Sequence, residues 1–504
     1  MKRLIAILLC VLLLAGCNAE KAPYTPTGNA LQQEDKTTPS HTPDNAEPQE
    51  ISLIYYPDRS MNPFQSKDYT NRALFSLIYQ GLFAVDRDYQ VRPILCDTYN
   101  VSADMKTYTF YLAKASFSDG TAVRAEDVVA SLKASMSSTW YGSRLQHAKS
   151  MVAYGNAVVI ELNTPMENLP ILLDIPIVKA SQVNAESPLG TGPYHLVGSR
   201  LRRQAGWWCT ADLPVDVEEI PLVTAESSPQ IRDSFEFGDI DLVCSNPGDI
   251  NYVDFRSDYE LWDSENGYFL YLVCNDKSKV FSNDGIRTAL THAINRDILA
   301  DRYYHGFARS AVLPASPLSP YYSRSLAESF GYDPQKFRDA VEQAGLAETA
   351  VTILCTDDPI RVQVCAEIAK MLEAGGLTVT VTQTSTANFV TELKKRNYDL
   401  YLGQTKLSIN MDLSAFFGTN TPLNYGGLNS PSLYALSLDA LANSGNYYNL
   451  HKLIMEDGYL CPILFQNYAV YVRRGSITGL SPARDNLFYY HLGRTMADAL
   501  MSDS

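Results

Sequence analysis

None of the seven histidines has another histidine two to four positions away, and none of the nine cysteines forms a C-x-x-C pair. A metal ion held directly by imidazoles or a zinc site is therefore not expected. The chain also lacks a G-x-S-x-G elbow, an H-E-x-x-H helix and a G-x-x-x-x-G-K-[ST] loop, which removes the common hydrolase, zinc-protease and nucleotide sites. Carboxylates are abundant but nothing pairs them, so no catalytic residue, resident metal or cofactor is assigned. Positive charge is in deficit: 41 Lys and Arg against 56 Asp and Glu leave −15, the wrong sign for a nucleic-acid binder. Gly190-Thr191-Gly192-Pro193 has no third glycine (His195 stands there) and no helical pattern after it, so it reads as a structural turn rather than a phosphate cradle.

What is present is an ordinary globular composition, 46% hydrophobic and 19% charged over 504 residues, too long for one core. Residues 1–16 carry Lys2-Arg3, the apolar run Leu4 to Leu14 and then small residues, the form of a secretory signal too short to span a membrane. Leu14-Ala15-Gly16-Cys17 has the form of a bacterial lipobox, which makes Cys17 the expected lipidation site and places the protein on the outer face of the cytoplasmic membrane, at the cell surface or in the periplasm. Residues 17–50 hold little that is apolar and are expected to be a disordered tether. Once Cys10 and Cys17 are set aside, an odd number of dispersed cysteines remains, and the sequence does not decide their pairing.

Within the folded body, Tyr108, Phe110 and Leu112 alternate as a half-buried strand, Asp119-Gly120 marks a turn, and Val128, Val129, Leu132 and Met136 follow at helical spacing behind Glu126-Asp127. Helices are expected over Asn71–Gln80 and Asp284–Tyr304, and after Asp333 as N-cap with Pro334 at the first helical position. Further on, strand Val351–Cys355, helix Ile360–Ala374, strand Leu377–Gln383, helix Ala387–Arg396 and strand Tyr398–Gly403 follow with short links. That alternation predicts a parallel sheet, whose ligands bind beyond the carboxyl ends of the strands. The rule points to Thr356-Asp357-Asp358 and to the loop from Gln404 to Asp412.

Lys106–Met136 as a whole, TYTFYL…FSDGT…AEDVVASL, resembles the signature region of the peptide/nickel-type extracytoplasmic solute-binding proteins of bacterial ABC importers. Leu189-Gly190-Thr191-Gly192-Pro193-Tyr194 is similar to that family's G-T-G-P-Y block. Phe235 to Asp241 resembles its "aG-x-x-D" segment, and Ile286 to Arg296 its V-R-x-A…A-I-D-R helix. The blocks fall in family order from about Ile51 to Tyr471.

The resemblance implies a two-lobed α/β, periplasmic-binding-protein-like hinged trap with an extra small subdomain in the first lobe. Lobe one is expected to take 51–84, 186–268 and 466–504, the small subdomain 85–185, and lobe two 269–465, with chain crossings near Phe269–Asn275 and Pro462–Val472. The implied ligand is a short peptide, with a chelated metal or another small polar solute as the alternative. The implied partners are an ABC permease with its ATPase, and the protein is expected to be a monomer. A surface peptide sensor is the alternative role, and an enzyme is not expected. Expected ligand-binding residues are Thr405, Lys406, Asn410 and Asp412 in the loop after the third strand, and Asn62 in Met61-Asn62-Pro63-Phe64, which resembles the family's early N-P loop. Family members that bind free peptide amines carry a D-x-x-[DE]-P-like stretch. Here Ile409 stands at the first acid and Leu413 at the proline, leaving Asp412 as the remaining carboxylate.

Overall fold

Two long antiparallel strands, Tyr259–Cys274 and Leu460–Arg473, form the spine of the fold in this computed structural model. The structure describes residues 51–490 except 68, 210–212, 214, 226, 257 and 478. The expected signal, Cys17 and tether, and the last part of the expected C-terminal return, lie outside the described residues. The spine strands pair from Tyr259↔Arg473 to Val273↔Leu460, with an irregularity between Glu265 and Phe269. Gly267, at φ 76°, sits in that irregularity, where a left-handed residue lets one strand bend against its partner.

Each end of the spine carries its own set of parallel strands. Beside Tyr268–Cys274 runs Leu400–Lys406, antiparallel to it, and beyond that Ala350–Thr356 lies parallel between Leu400–Lys406 and Thr378–Thr384. Helices Pro359–Ala374 and Thr386–Lys395 make the connections, as the sequence pattern predicts. Val351, Ile353, Val364, Ile368, Leu372, Leu400 and Leu402 are buried together in one core. The third strand runs on to Lys406, three residues past the predicted end, because Tyr268 pairs with Lys406. Beside the other end of the spine, Leu242–Ser245 pairs with Leu460–Arg473, and Leu53–Ile54 lies parallel between it and Glu219–Val223. Residues 269–274 and 462–472, where chain crossings are expected, lie on the two spine strands.

A separate four-stranded antiparallel sheet runs in the order Cys96–Val101, Thr107–Leu112, Ala157–Leu162, Ala148–Tyr154. Tyr108, Phe110 and Leu112 point into its core, as their alternation predicts. Helix Ala125–Ser135 packs against this sheet with Val128 and Leu132 buried. Asp127 caps the helix by accepting from the backbone N–H of Arg124 at 2.9 Å, and its other oxygen takes Ala180 N–H at 2.8 Å.

Two predicted helices need correction. Asp284–Tyr304 is two helices, Asp284–Ala293 and Arg296–Tyr303, because Ile294 is extended and the Asn295 side chain caps the second. Asn71–Gln80 is also two short helices, Tyr69–Ala73 and Phe75–Ile78; the Asn71 amide reaches back to the carbonyls of Tyr56 and Arg59. Asp333 is the N-cap of helix Pro334–Gln343 with Pro334 at its start, as expected, although its side chain makes no capping hydrogen bond.

Candidate functional site

The loop after strand Leu400–Lys406 packs into a polar interior, and its residues have distinct partners. Lys406 is buried, with Nζ 2.9 Å from Asp485 Oδ1 and 4.6 Å from the ring centre of Trp140. Asp412 is buried too: Oδ2 lies 2.7 Å from His147 Nε2 and accepts from Gln146, while Oδ1 takes Ser414 N–H at 2.9 Å. Burial would raise the Asp412 carboxyl, but His147 and Ser414 hold it below its ordinary value. Asn410 accepts the Ser408 hydroxyl at 2.7 Å on its side chain and the Tyr447 hydroxyl on its carbonyl. Thr405 is half-buried in the strand opposite Phe269. Asn62 ties its own loop together, donating to the carbonyls of Val183 and Ala185 at 2.8 Å each and accepting Phe64 N–H at 3.0 Å. At the other predicted strand end, Asp358 caps helix Pro359–Ala374 through Arg361 N–H at 2.9 Å, and Thr356 accepts from the Arg361 guanidinium at 3.1 Å. The structure thus brings Lys406 and Asp412 against one stretch, 140–147, whereas Asn62 and Thr356–Asp358 serve local structure.

Around Lys406 lies a cationic cluster. Arg144 pairs with Asp485 and donates to the Asp174 carbonyl at 2.6 Å. Arg484 Nε is 3.9 Å from Asp485. Arg72 lies over Trp140 at 3.9 Å and donates to the Tyr141 hydroxyl at 3.2 Å, a guanidinium held by ring faces as well as by hydrogen bonds. Burial pushes Lys406 down to about 7, Asp485 opposing and Arg484 and Arg72 adding to the shift. For Asp485 burial acts to raise the carboxyl, but Lys406, Arg144 and Arg484 hold it well below the carboxylate range. Asp174, with Arg144 opposing, is pushed up to about 7 by burial.

Two small cavities border this cluster and a larger one adjoins them. The largest, about 520 Å³, is lined by Ile54, Tyr69, Ser245, Asn246, Tyr252 and neighbours. It opens at the carboxyl ends of the parallel strands Leu53–Ile54 and Leu242–Ser245, where the topology rule places ligands. Its volume suits a small-molecule ligand. Tyr69 and Cys244 also line a cavity of about 50 Å³ that continues to Arg72, Trp140, Tyr468, Arg484 and Asp485. Arg72 and Asp485 in turn border a third, of about 40 Å³, reaching Asp174 and Tyr490. A roomy cavity, the mouth, thus lies next to buried charge. Among the described residues no group of three or more His, Cys, Asp and Glu is placed to hold a metal ion.

Sequence reasoning reached Lys406 and Asp412 through the strand-end rule but missed Arg72, Trp140, Arg144, Arg484 and Asp485. Arg144 and Asp485 are 341 positions apart, and no local pattern joins them. The rule itself was the available signal for the mouth, had it been applied to Leu53–Ile54 and Leu242–Ser245 as well.

Comparison with known proteins agrees with the geometry. The chain is 27% identical over 316 residues to the glutathione-binding protein GsiB of Salmonella typhimurium, covering 58% of this chain and 61% of that protein. It is 28% identical over 321 residues to GsiB of Pectobacterium atrosepticum, with the same coverage. The match therefore spans about three fifths of the length of these relatives. Among solved structures, the ABC transporter substrate-binding protein CtaP of Listeria monocytogenes superposes with a TM-score of 0.69 at 19% identity, covering 88% of this chain and 98% of that one. A putative peptide-binding protein AppA from Clostridium difficile gives 0.71 at 15% identity, covering 88% and 100%. The fold is thus the two-lobed α/β fold of periplasmic binding proteins. The model of the bacterial extracellular solute-binding proteins, family 5, matches residues 90–425, two thirds of the sequence. On that match and that fold, the chain belongs to the bacterial extracellular solute-binding proteins, family 5.

Proposed function

We propose that this protein is the extracytoplasmic solute-binding component of an ABC importer, and that it closes around a short peptide or similar small polar solute and delivers it to a membrane permease with its ATPase. It performs no chemistry on the solute. The observation that carries this reading is the buried cluster in which Lys406, from 269–465, meets Asp485, from 466–504, beside Arg144 of 85–185, with the 520 Å³ cavity adjoining it. The relatives' names point the same way: glutathione-binding for GsiB, peptide-binding for AppA. The spine strands Tyr259–Cys274 and Leu460–Arg473 are the natural hinge, with lobe one at 51–84, 186–268 and 466–504, lobe two at 269–465 and the small sheet inside 85–185. In this reading the protein acts as a monomer, anchored by lipid on Cys17 to the outer face of the membrane.

A second reading, a solute without a free amine, is favoured by the loop itself. Ile409 is buried at the place of the family's first acid, and Asp412 already accepts from Gln146, His147 and Ser414. The two readings separate by calorimetry with trialanine and N-acetyl-trialanine. If Asp412 meets an ammonium in the closed cleft, acetylation weakens binding by about thirtyfold or more. Equal affinities select the amine-free solute, and no binding of either compound removes the peptide from the proposed function.

A further inference from the structure

Asp485 lies in the segment that follows strand Leu460–Arg473, and its carboxylate is met by cations from three places in the sequence. Lys406 comes from the end of strand Leu400–Lys406, Arg144 from the turn Gly142–Leu145, and Arg484 is its neighbour in the chain. Arg72 borders both small cavities that flank Asp485. One ionised carboxylate therefore answers two permanently charged guanidiniums, Arg144 and Arg484, beside Lys406, whose ammonium burial disfavours. The other acid bordering this interior, Asp174, is held toward its neutral form by burial. The buried Glu265 is engaged elsewhere, by the hydroxyls of Tyr89 and Ser316.

Surplus buried positive charge is unfavourable unless an anion meets it. Arg484 shows the deficit directly. Its side chain is 5% exposed and borders the 50 Å³ cavity, yet Nη1 has no hydrogen-bond partner among the described residues. That cavity holds more than one water's share of about 30 Å³, enough for a carboxylate. Through Tyr69 and Cys244 it adjoins the 520 Å³ mouth.

We propose that Asp485 is a tethered carboxylate occupying an anion position built by Arg72, Arg144, Lys406 and Arg484, and that the solute carries a carboxylate of its own which displaces it. The proposal rests on the solute-binding reading and adds the chemical class of the group recognised. Asp485 then acts as a stand-in that keeps the cations neutralised while the cleft is empty. It also sets specificity, because a neutral solute has nothing to exchange for it.

The test uses the full-length protein with Asp485→Ala, which removes the carboxylate and leaves its position open. Melting is followed in sodium acetate and in sodium chloride of equal ionic strength. Free acetate is expected to fill the vacated position and raise the variant's melting temperature by about 4 °C over chloride, with no such difference in wild type. Should the variant not fold in chloride, recovery of folded protein in acetate is the same result. Acetate and chloride behaving alike in the variant, folded or not, overturns the proposal. A second arm compares trialanine with its C-terminal amide on wild type and variant. The amide is expected to bind wild type about thirtyfold more weakly, and Asp485→Ala to bind trialanine about tenfold more tightly because the tethered competitor is gone. Equal wild-type affinities for acid and amide also overturn it. If neither peptide binds, the peptide reading fails while the acetate arm still decides on the anion position.

Discussion

Gly192→Ala is expected to cost at least about 3 kcal/mol of folding stability. A Cβ there would lie 2.5 Å from the Leu77 carbonyl oxygen and 2.6 Å from the Ile78 carbonyl carbon, both backbone atoms that no side-chain rotation can move aside. The contact is close because Gly192 N–H donates to the Ile78 carbonyl at 2.8 Å, fixing this turn on the end of helix Phe75–Ile78. The carbonyls of the turn are held as well. Trp207 and Trp208 both donate to Thr191 O, at 2.8 and 2.9 Å, and Gln204 donates to Gly192 O at 2.7 Å. Withdrawing the turn to make room would strand these donors. Urea unfolding of the variant should show a midpoint far below wild type; a loss under about 1 kcal/mol would show that the turn relaxes freely.

The second large effect is expected at Arg296, where substitution by Met should cost about 3–5 kcal/mol. The guanidinium is fully buried and burial lowers its pKa. It donates to the carbonyls of Thr291 at 3.0 Å, Ala311 at 3.1 Å and Pro462 at 2.9 Å, and to the Thr291 hydroxyl at 2.8 Å. It therefore ties the break between two helices to strand Leu460–Arg473, one of the two spine strands. Methionine matches the volume but leaves those acceptors without donors. Lysine is expected to recover only part of the loss, since a point charge cannot replace a planar fork. Differential scanning calorimetry of all three proteins checks this ordering. Methionine matching wild type would contradict it.

Arg296 also marks where the sequence was legible and where it was not. The resemblance to a V-R-x-A…A-I-D-R helix singled it out, but the apolar spacing of Ile286, Leu290, Ala293 and Ile294 runs straight through the break. Only the Asn295 cap and the demands of the Arg296 fork end one helix and start another. Elements governed by local periodicity were readable in place, but not where a helix breaks, as at Leu74 and Ile294. The strand at Tyr108–Leu112 and the alternation from Val351 to Gly403 keep their predicted places to within a few residues. Long-range pairs were not readable: nothing in the neighbourhood of Asp485 distinguishes it from a solvated acid until Lys406 and Arg144 arrive from elsewhere in the chain. The tyrosines behave likewise. Tyr69 and Tyr468 stack at 5.9 Å beside the inner cavity, while Tyr108, Tyr194 and Tyr401 are simply core.

The central claim is that this fold holds one small solute whose carboxylate meets the cationic cluster around Asp485. Native mass spectrometry of the folded body, mixed with defined di- to pentapeptides and small organic acids, tests it most directly. The account predicts a one-to-one complex with a carboxylate-bearing compound, weakened by Lys406→Met and lost on unfolding. A folded protein that takes up none of the peptides or acids would contradict it.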